Sequence, residues 1–182
     1  MGVTIPAVTL KKFWSLLAQY HGQQWNASEA AASFGVSQTA VRHYLSILEG
    51  GLMIRSLTPW YQNVGKRQVK MPKIYFRDSG ILHHLLGIHE FKELESNNKK
   101  GASWEGYVLD EILKRRPDAD AYFWGTHNGA ELDLLLMERG KRTGYEIKYT
   151  DSPRVTPSMN IAVKDLGLDR LNIIYPGDKS YP

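Results

Sequence analysis

Asp133, Glu146 and Lys148 are the residues of this sequence best placed to do chemistry. They sit in "AELDLLLMERGKRTGYEIKYT", residues 130 to 150, where two apolar runs flank the polar turn "ERGKRTG". Side chains alternate along a strand, so the spacing predicts Leu132, Leu134 and Leu136 on one face and Asp133 with Leu135 and Met137 on the other. On the second run Tyr145, Ile147 and Tyr149 share one face, and Glu146 with Lys148 share the opposite one. Folded as a hairpin, the runs bring Asp133 and Glu146 together, with Lys148 about 7 Å along the strand from Glu146. Two carboxylates held close repel unless a cation lies between them, and a hard divalent ion with oxygen ligands answers that need. Magnesium suits the set, with one oxygen each from Asp133 and Glu146, the carbonyl of Ile147, and water for the remaining positions. Such an ion activates water and stabilises charge on a phosphodiester, while a neighbouring lysine adds positive charge or orients the nucleophile. Glu105, early on a helix of the same region, is expected to assist catalysis by adding a further carboxylate or by positioning a metal-bound water. The bland alternative is a solvated strand face, on which Glu-x-Lys is common. Asp133 weighs against it, because a charge among leucines needs a partner.

These residues need a sheet and a helix to hold them. A helix is expected from Trp104 to Arg115, with Trp104, Val108 and Ile112 on one face, then strands at 121 to 124, 130 to 137 and 143 to 149. Pro157 to Leu166 reads as a helix and "RLNIIYP" as a last strand, so the order is α-β-β-β-α-β. His127 falls in the turn before Asp133, where a polar residue is more often solvated than functional. His83 and His84 point to different sides of a short helix and make a poor metal pair.

The front of the chain is organised differently. In "LKKFWSLLAQY" the apolar residues Leu10, Phe13, Trp14, Leu17 and Ala18 form the stripe of a packed helix. Asn26 or Ser28 can cap a short Ala-rich helix, Gly35 can end it in a left-handed turn, and Ser37 can cap a helix from Gln38 to Glu49. Two short helices joined in this way form a helix-turn-helix. The runs "LMIRSLTPWY" and "KIYFR" then read as strands around the loop "QNVGKRQVKMP", which gives winged-helix order. Asp78-Ser79 can cap a further helix over 81 to 86, and the polar stretch "HEFKELESNNKKG" reads as a linker. The expected division is a winged-helix domain over 1–88, a linker over 89–101 and a second domain over 102–182.

Charge separates the halves as well. Residues 1 to 88 carry nine Lys and Arg against three Asp and Glu, and residues 89 to 182 carry fourteen against sixteen. A front half of +6 beside a back half of −2 points to a polyanionic partner. In a helix-turn-helix the second helix meets the major groove, which assigns base and phosphate contacts to Gln38, Thr39, Arg42, His43 and Ser46. The loop supplies Lys66, Arg67, Lys70 and Lys73, expected to lie along phosphates. DNA is therefore the expected partner. Winged helices also dock proteins, and a single Arg on the recognition helix implies modest base specificity. Trp60, Tyr61, Trp104 and Trp124 could stack bases but are more often packing residues at element starts.

"WE-x-Y" on a helix, "ELD" on a strand and "YEIKY" on the next resemble the restriction-endonuclease-like, or PD-(D/E)xK, superfamily. That pattern is an Asp, then Glu or Asp, any residue and Lys on a sheet of αβββαβ topology. Leu132 stands where the motif's name has Pro. The longer stretches "SQTAVRHYLSILEGGLMI", "GKRQVKMPKIYFRDSGILHHLLGI", "FWGTHNGAELDLLL" and "YEIKYT" resemble the C-terminal region of a family of prokaryotic AAA-plus-type ATPases. This likeness covers nearly the whole chain. It implies a mixed α+β or α/β protein, a winged helix-turn-helix followed by a restriction-endonuclease-like domain, serving an ATPase domain in cis or in trans. No G-x-x-x-x-G-K-[ST] loop occurs in the 182 residues, so the chain is expected to be either a fragment or a stand-alone relative.

Zero cysteines exclude disulfides and a thiol nucleophile, and no apolar run approaches the length of a membrane span. A cytoplasmic protein is expected. Two rival readings remain beside the nuclease: a non-catalytic DNA- or protein-docking module of an ATPase, and a winged-helix transcriptional regulator in which the front half alone acts.

Overall fold

The computed structural model describes residues 5–61 and 70–180. Its first helix, α1 (Ala7–Gln19), buries Phe13, Leu17 and Ala18. After a two-residue strand β1 (Gln23–Gln24), the Asn26 side chain accepts the N–H of Ser28 and starts α2 (Ala27–Phe34). Gly35, at φ 70°, ends α2 in the left-handed region that a side chain would strain. Ser37 then accepts the N–H of Ala40 and opens α3 (Gln38–Gly50), which buries Val41 and Leu48. Strands β2 (Ile54–Leu57) and β3 (Lys73–Phe76) follow, and with β1 they form an antiparallel sheet in the order β1-β3-β2. Phe13 is the hub of this first core, with edge-on contacts to Trp25, Phe34 and Tyr44 at 5.4 to 6.0 Å between centroids.

Asp78 caps α4 (Ser79–Leu85) by accepting the N–H of Ile81. The stretch 89–101, expected to be a linker, contains a helix, α5 (Phe91–Ser96), and the start of α6 (Lys100–Lys114). The Glu93 carboxylate accepts the N–H groups of His89 at 2.6 Å and Glu90 at 3.1 Å, which fixes the first turn of α5. α6 thus begins four residues before the expected Trp104. β4 (Asp120–Gly125), β5 (Glu131–Glu138), β6 (Lys141–Ile147), α7 (Pro157–Leu166) and β7 (Arg170–Ile174) complete the chain. Their sheet runs β4-β5-β6-β7, antiparallel except for the parallel β6–β7 pair that α7 connects. The described residues therefore form a mixed α+β structure with two sheets.

The halves share a core. Leu57 and Tyr75 from the first sheet pack with Val108, Leu109 and Phe123 of the second half. Beyond β2 the chain runs onto the second sheet, where Trp60 donates its N–H to the Phe123 carbonyl at 2.7 Å and Phe123 donates to the Thr58 carbonyl at 3.1 Å. Asp110 on α6 holds Arg55 at 3.2 Å and Arg77 at 3.3 Å. His21 closes the junction: its Nδ1 accepts the Phe76 N–H at 3.0 Å, so Nε2 carries the proton and donates to the Ala102 carbonyl, also at 3.0 Å. Gly106 makes room for that ring, since a Cβ there would lie 2.5 Å from Nε2. No helix among the described residues is long and apolar enough to cross a membrane.

Candidate active site

A bulge in β5 prepares the site. Tyr122 pairs with Leu135 but Trp124 pairs with Leu132, so β5 carries one residue more than β4 over the same span. The faces change over at that point: Leu134 and Leu136 pack in the α6 cluster, whereas Leu132 packs with Leu135 against Ala162 and Leu166 of α7. Strict alternation would have put Leu132 with Leu134, and the extra residue is the reason it does not. Asp133 sits at the change of face. Pairing of β5 with β6 reaches Leu134↔Tyr145, and next to it the Asp133 carboxylate, in place of a backbone carbonyl, accepts the Ile147 N–H at 2.8 Å. A side chain has entered the ladder.

An open cleft of about 560 Å³ lies there. Glu131 and Asp133 from β5, Glu146 and Lys148 from β6 and its continuation, and Glu105 from α6 line it, with Thr156 and Ser158 at the start of α7. Glu105, Asp133, Glu146 and Lys148 are thus brought together. Ile147 is not in the lining: it is a core residue whose N–H is taken by Asp133. Glu146 is 5% exposed and Asp133 7%. One Glu146 oxygen, Oε1, pairs with the Lys148 ammonium at 2.7 Å, while Oε2 is buried with no hydrogen-bond partner.

Lys73 does not lie where the sequence places it. Expected along a phosphate backbone, it is instead 5% exposed and lines this cleft from β3. Its ammonium pairs with Glu131 and lies 3.5 Å from Glu105, and it stands 5.4 Å from the centre of the Phe123 ring. The Tyr75 hydroxyl donates to Glu105 as well. Glu131 had a sequence signal, since it stands two residues before Asp133 in the same strand. Lys73 had none, because nothing local says that β3 packs against α6.

Electrostatics show what the cluster lacks. Glu105, Glu131, Asp133 and Glu146 face Lys73 and Lys148, four negative groups against two positive, for a formal balance of −2. Burial pushes the Glu105 carboxyl up to about 7, with Lys73 drawing it down and Asp133 adding to the rise. Burial also raises Asp133, against the pull of Lys73, and raises Glu146, with the Asp133 charge adding to it. Burial acts to lower the Lys73 and Lys148 ammonium groups, yet the surrounding carboxylates hold both above the usual lysine value. Carboxylates that stay too protonated beside lysines that hold their protons mark a deficit of positive charge.

Among the described residues no group of three or more His, Cys, Asp or Glu side chains is disposed to hold a metal ion. Magnesium does not require one. It is commonly held by one or two carboxylates and water, and Asp133 with the unpartnered Glu146 Oε2 meets that requirement. The donor set therefore fits one hard divalent ion.

On the front half, Gln38, Thr39, Arg42, His43 and Ser46 are all exposed along α3. Gln38 donates its amide to the Ser28 hydroxyl at 2.6 Å. Arg42 and the exposed Lys70 line one cleft of about 310 Å³ with Asn26 and Ser28. Lys66 and Arg67 lie outside the described residues. His127 is exposed in its turn, and Gly129 reaches the cleft in its place.

Residues 2–92 match the family model described as Domain of unknown function (DUF8612), and residues 100–182 match Domain of unknown function (DUF4143). The whole chain is 48% identical, over 182 residues, to an uncharacterized protein of Mycobacterium bovis and to one of Mycobacterium tuberculosis. The chain spans 41% of the length of these curated relatives. No solved structure matches it.

Proposed function

We propose, from the premise that this chain belongs to the DUF8612 family, through a match spanning half its length, that it is a DNA-binding protein with a divalent-ion-dependent phosphodiesterase site. In this reading the front half is a winged helix and residues 102–182 are a restriction-endonuclease-like domain. The observation that carries it is the buried, unpartnered Glu146 Oε2 beside Asp133, within a cluster whose formal charge is −2. A magnesium ion on these two carboxylates would supply Lewis-acid activation of water and neutralise charge developing on a phosphate.

The chain's own residues divide the remaining work. Asp133 and Glu146 hold the cation. The Lys148 ammonium, fixed by Glu146 and half-exposed, meets the phosphodiester at the mouth of the cleft. Glu105, whose carboxyl changes protonation near neutral pH, takes up a proton from the attacking water. Arg42 and Lys70, lining one cleft, hold the backbone of the duplex at the front half. The test is cleavage of a mixed set of DNA and RNA substrates with Mg²⁺. Cleavage should disappear in Asp133→Asn and Lys148→Ala alike, and cleavage surviving both would overturn the reading.

More than half the length of the curated relatives lies outside the matched region. We read that remainder as carrying the AAA-plus-type ATP-binding domain that these two units serve. A full-length relative should then bind a fluorescent ATP analogue that the 182-residue chain does not bind.

A second reading is a docking module without turnover, which the Lys73 ammonium favours by already neutralising part of the carboxylate cluster. It keeps DNA or protein binding and expects no Mg²⁺-dependent cleavage by any preparation.

A further inference from the structure

We infer that the Lys73 ammonium occupies a cation position of the cleft, standing where a divalent ion would bridge Glu105 and Glu131 next to Asp133. The front half thereby sets how many ions the site accepts. This rests on reading the cleft as a cation site, and it concerns a residue that comes from the other sheet.

Lys73 is buried at a point where a strand facing the core ordinarily carries an aliphatic residue, and lysine is almost never buried without compensation. Its pairing is one-sided: Glu131 and Glu105 approach the ammonium from β5 and α6, with the Phe123 ring nearby at 5.4 Å. These carboxylates would otherwise stand in one cleft with Asp133 and repel, as they would around an empty metal position. An ammonium answers that repulsion with one charge and no coordination demand. A divalent ion would answer it with two. With Lys73 in place the cluster keeps a deficit of two charges, enough for one divalent ion at Asp133 and Glu146. Without Lys73 the deficit is three, and the oxygens of Glu105 and Glu131 become available to a second ion.

The experiment counts Mn²⁺ bound per chain, by titration calorimetry and by the loss of the free-ion electron paramagnetic resonance signal. It compares the 182-residue protein with Lys73→Met and with Lys73→Gln, whose amide can still donate to Glu105 and Glu131. Either variant is expected to bind one Mn²⁺ more than the parent. Its melting temperature in chelator should be lower, and millimolar Mn²⁺ should restore it by a larger shift than the parent shows. An unchanged count in a folded variant overturns the inference. So does a pair of variants that fold neither with chelator nor with Mn²⁺, because an ion then cannot replace the ammonium. A parent protein that binds no Mn²⁺ would sink the reading of the cleft as a metal site. The difference in count between variant and parent alone decides the role of Lys73.

Discussion

The Asp133 carboxylate accepts the backbone N–H of Ile147 at 2.8 Å, so the residue that would hold a cation also replaces a rung of the β5–β6 ladder. The two roles separate by substitution. Asp133→Ala leaves a buried N–H unpaired and should cost about 1–3 kcal/mol in thermal or urea unfolding. Asp133→Asn keeps an acceptor oxygen and removes one repelling charge, so it should unfold close to the parent. Both should lose Mn²⁺ binding. Equal stability of the two variants would show that the hydrogen bond contributes nothing.

Glu105 should make the proposed ion binding depend on pH. Its carboxyl in the folded protein titrates at about 7, above the ordinary 4.5, so between those values the folded protein holds a proton that the unfolded chain has released. The group therefore costs stability above pH 7, and the cost is relieved as pH falls towards 4.5. A divalent ion bound in the cleft would compete with that proton. The melting shift produced by Mn²⁺ should be larger at pH 8 than at pH 6, and Glu105→Gln should flatten the difference. The same shift at both pH values would count against the cluster as the ion's seat.

His21 has the opposite sign. Burial lowers its ring to about 4 against the hydrogen bond to Ala102, which acts to raise it. The unfolded chain takes up a proton at 6.5 that the folded protein refuses until about 4, so stability is lost as pH falls across that window. Complete passage costs about 3 kcal/mol. Glu105 opposes it over nearly the same range, so the acid limb should emerge in the Glu105→Gln background. Urea midpoints at pH 7, 5 and 4 read it, and a flat profile in that background would contradict the buried neutral ring.

Much of the frame was legible because it depends on neighbours in sequence. Asn26, Ser37 and Asp78 cap helices through their own next turns, and the hairpin of β5 with β6 follows from alternation around a polar turn. What stayed hidden depends on long-range packing. The bulge at Asp133 is a mismatch between β4 and β5, visible in neither strand alone. Lys73 looked like one more basic residue of a loop, because its destination is set by the contact of Tyr75 and Leu57 with α6. The polar stretch 89–101 concealed α5, a single short helix whose ordering rests on the Glu93 contacts and on packing beside α6.

Gly106 tests the junction between the halves. A methyl group there would meet the His21 ring at 2.5 Å, and the ring is held from both sides. Gly106→Ala should destabilise the protein by about 1–3 kcal/mol despite the better helix propensity of alanine. A stabilised variant would mean that the ring and α6 can move apart.

DNA contact by the front half predicts a salt dependence. If Arg42 and Lys70 each neutralise a phosphate, the double variant Arg42→Ala/Lys70→Ala should flatten the slope of log affinity against log salt by about 0.9 per contact. Fluorescence anisotropy over a salt series measures it, and an unchanged slope would remove both residues from the interface.

Crystals soaked in Mn²⁺ and measured at the manganese absorption edge test the metal site most directly. The account expects an anomalous peak bonded to an Asp133 oxygen and to Glu146 Oε2, with Lys148 still on Glu146 Oε1. A map with no peak between those carboxylates, at Mn²⁺ concentrations that saturate the protein in solution, would contradict it.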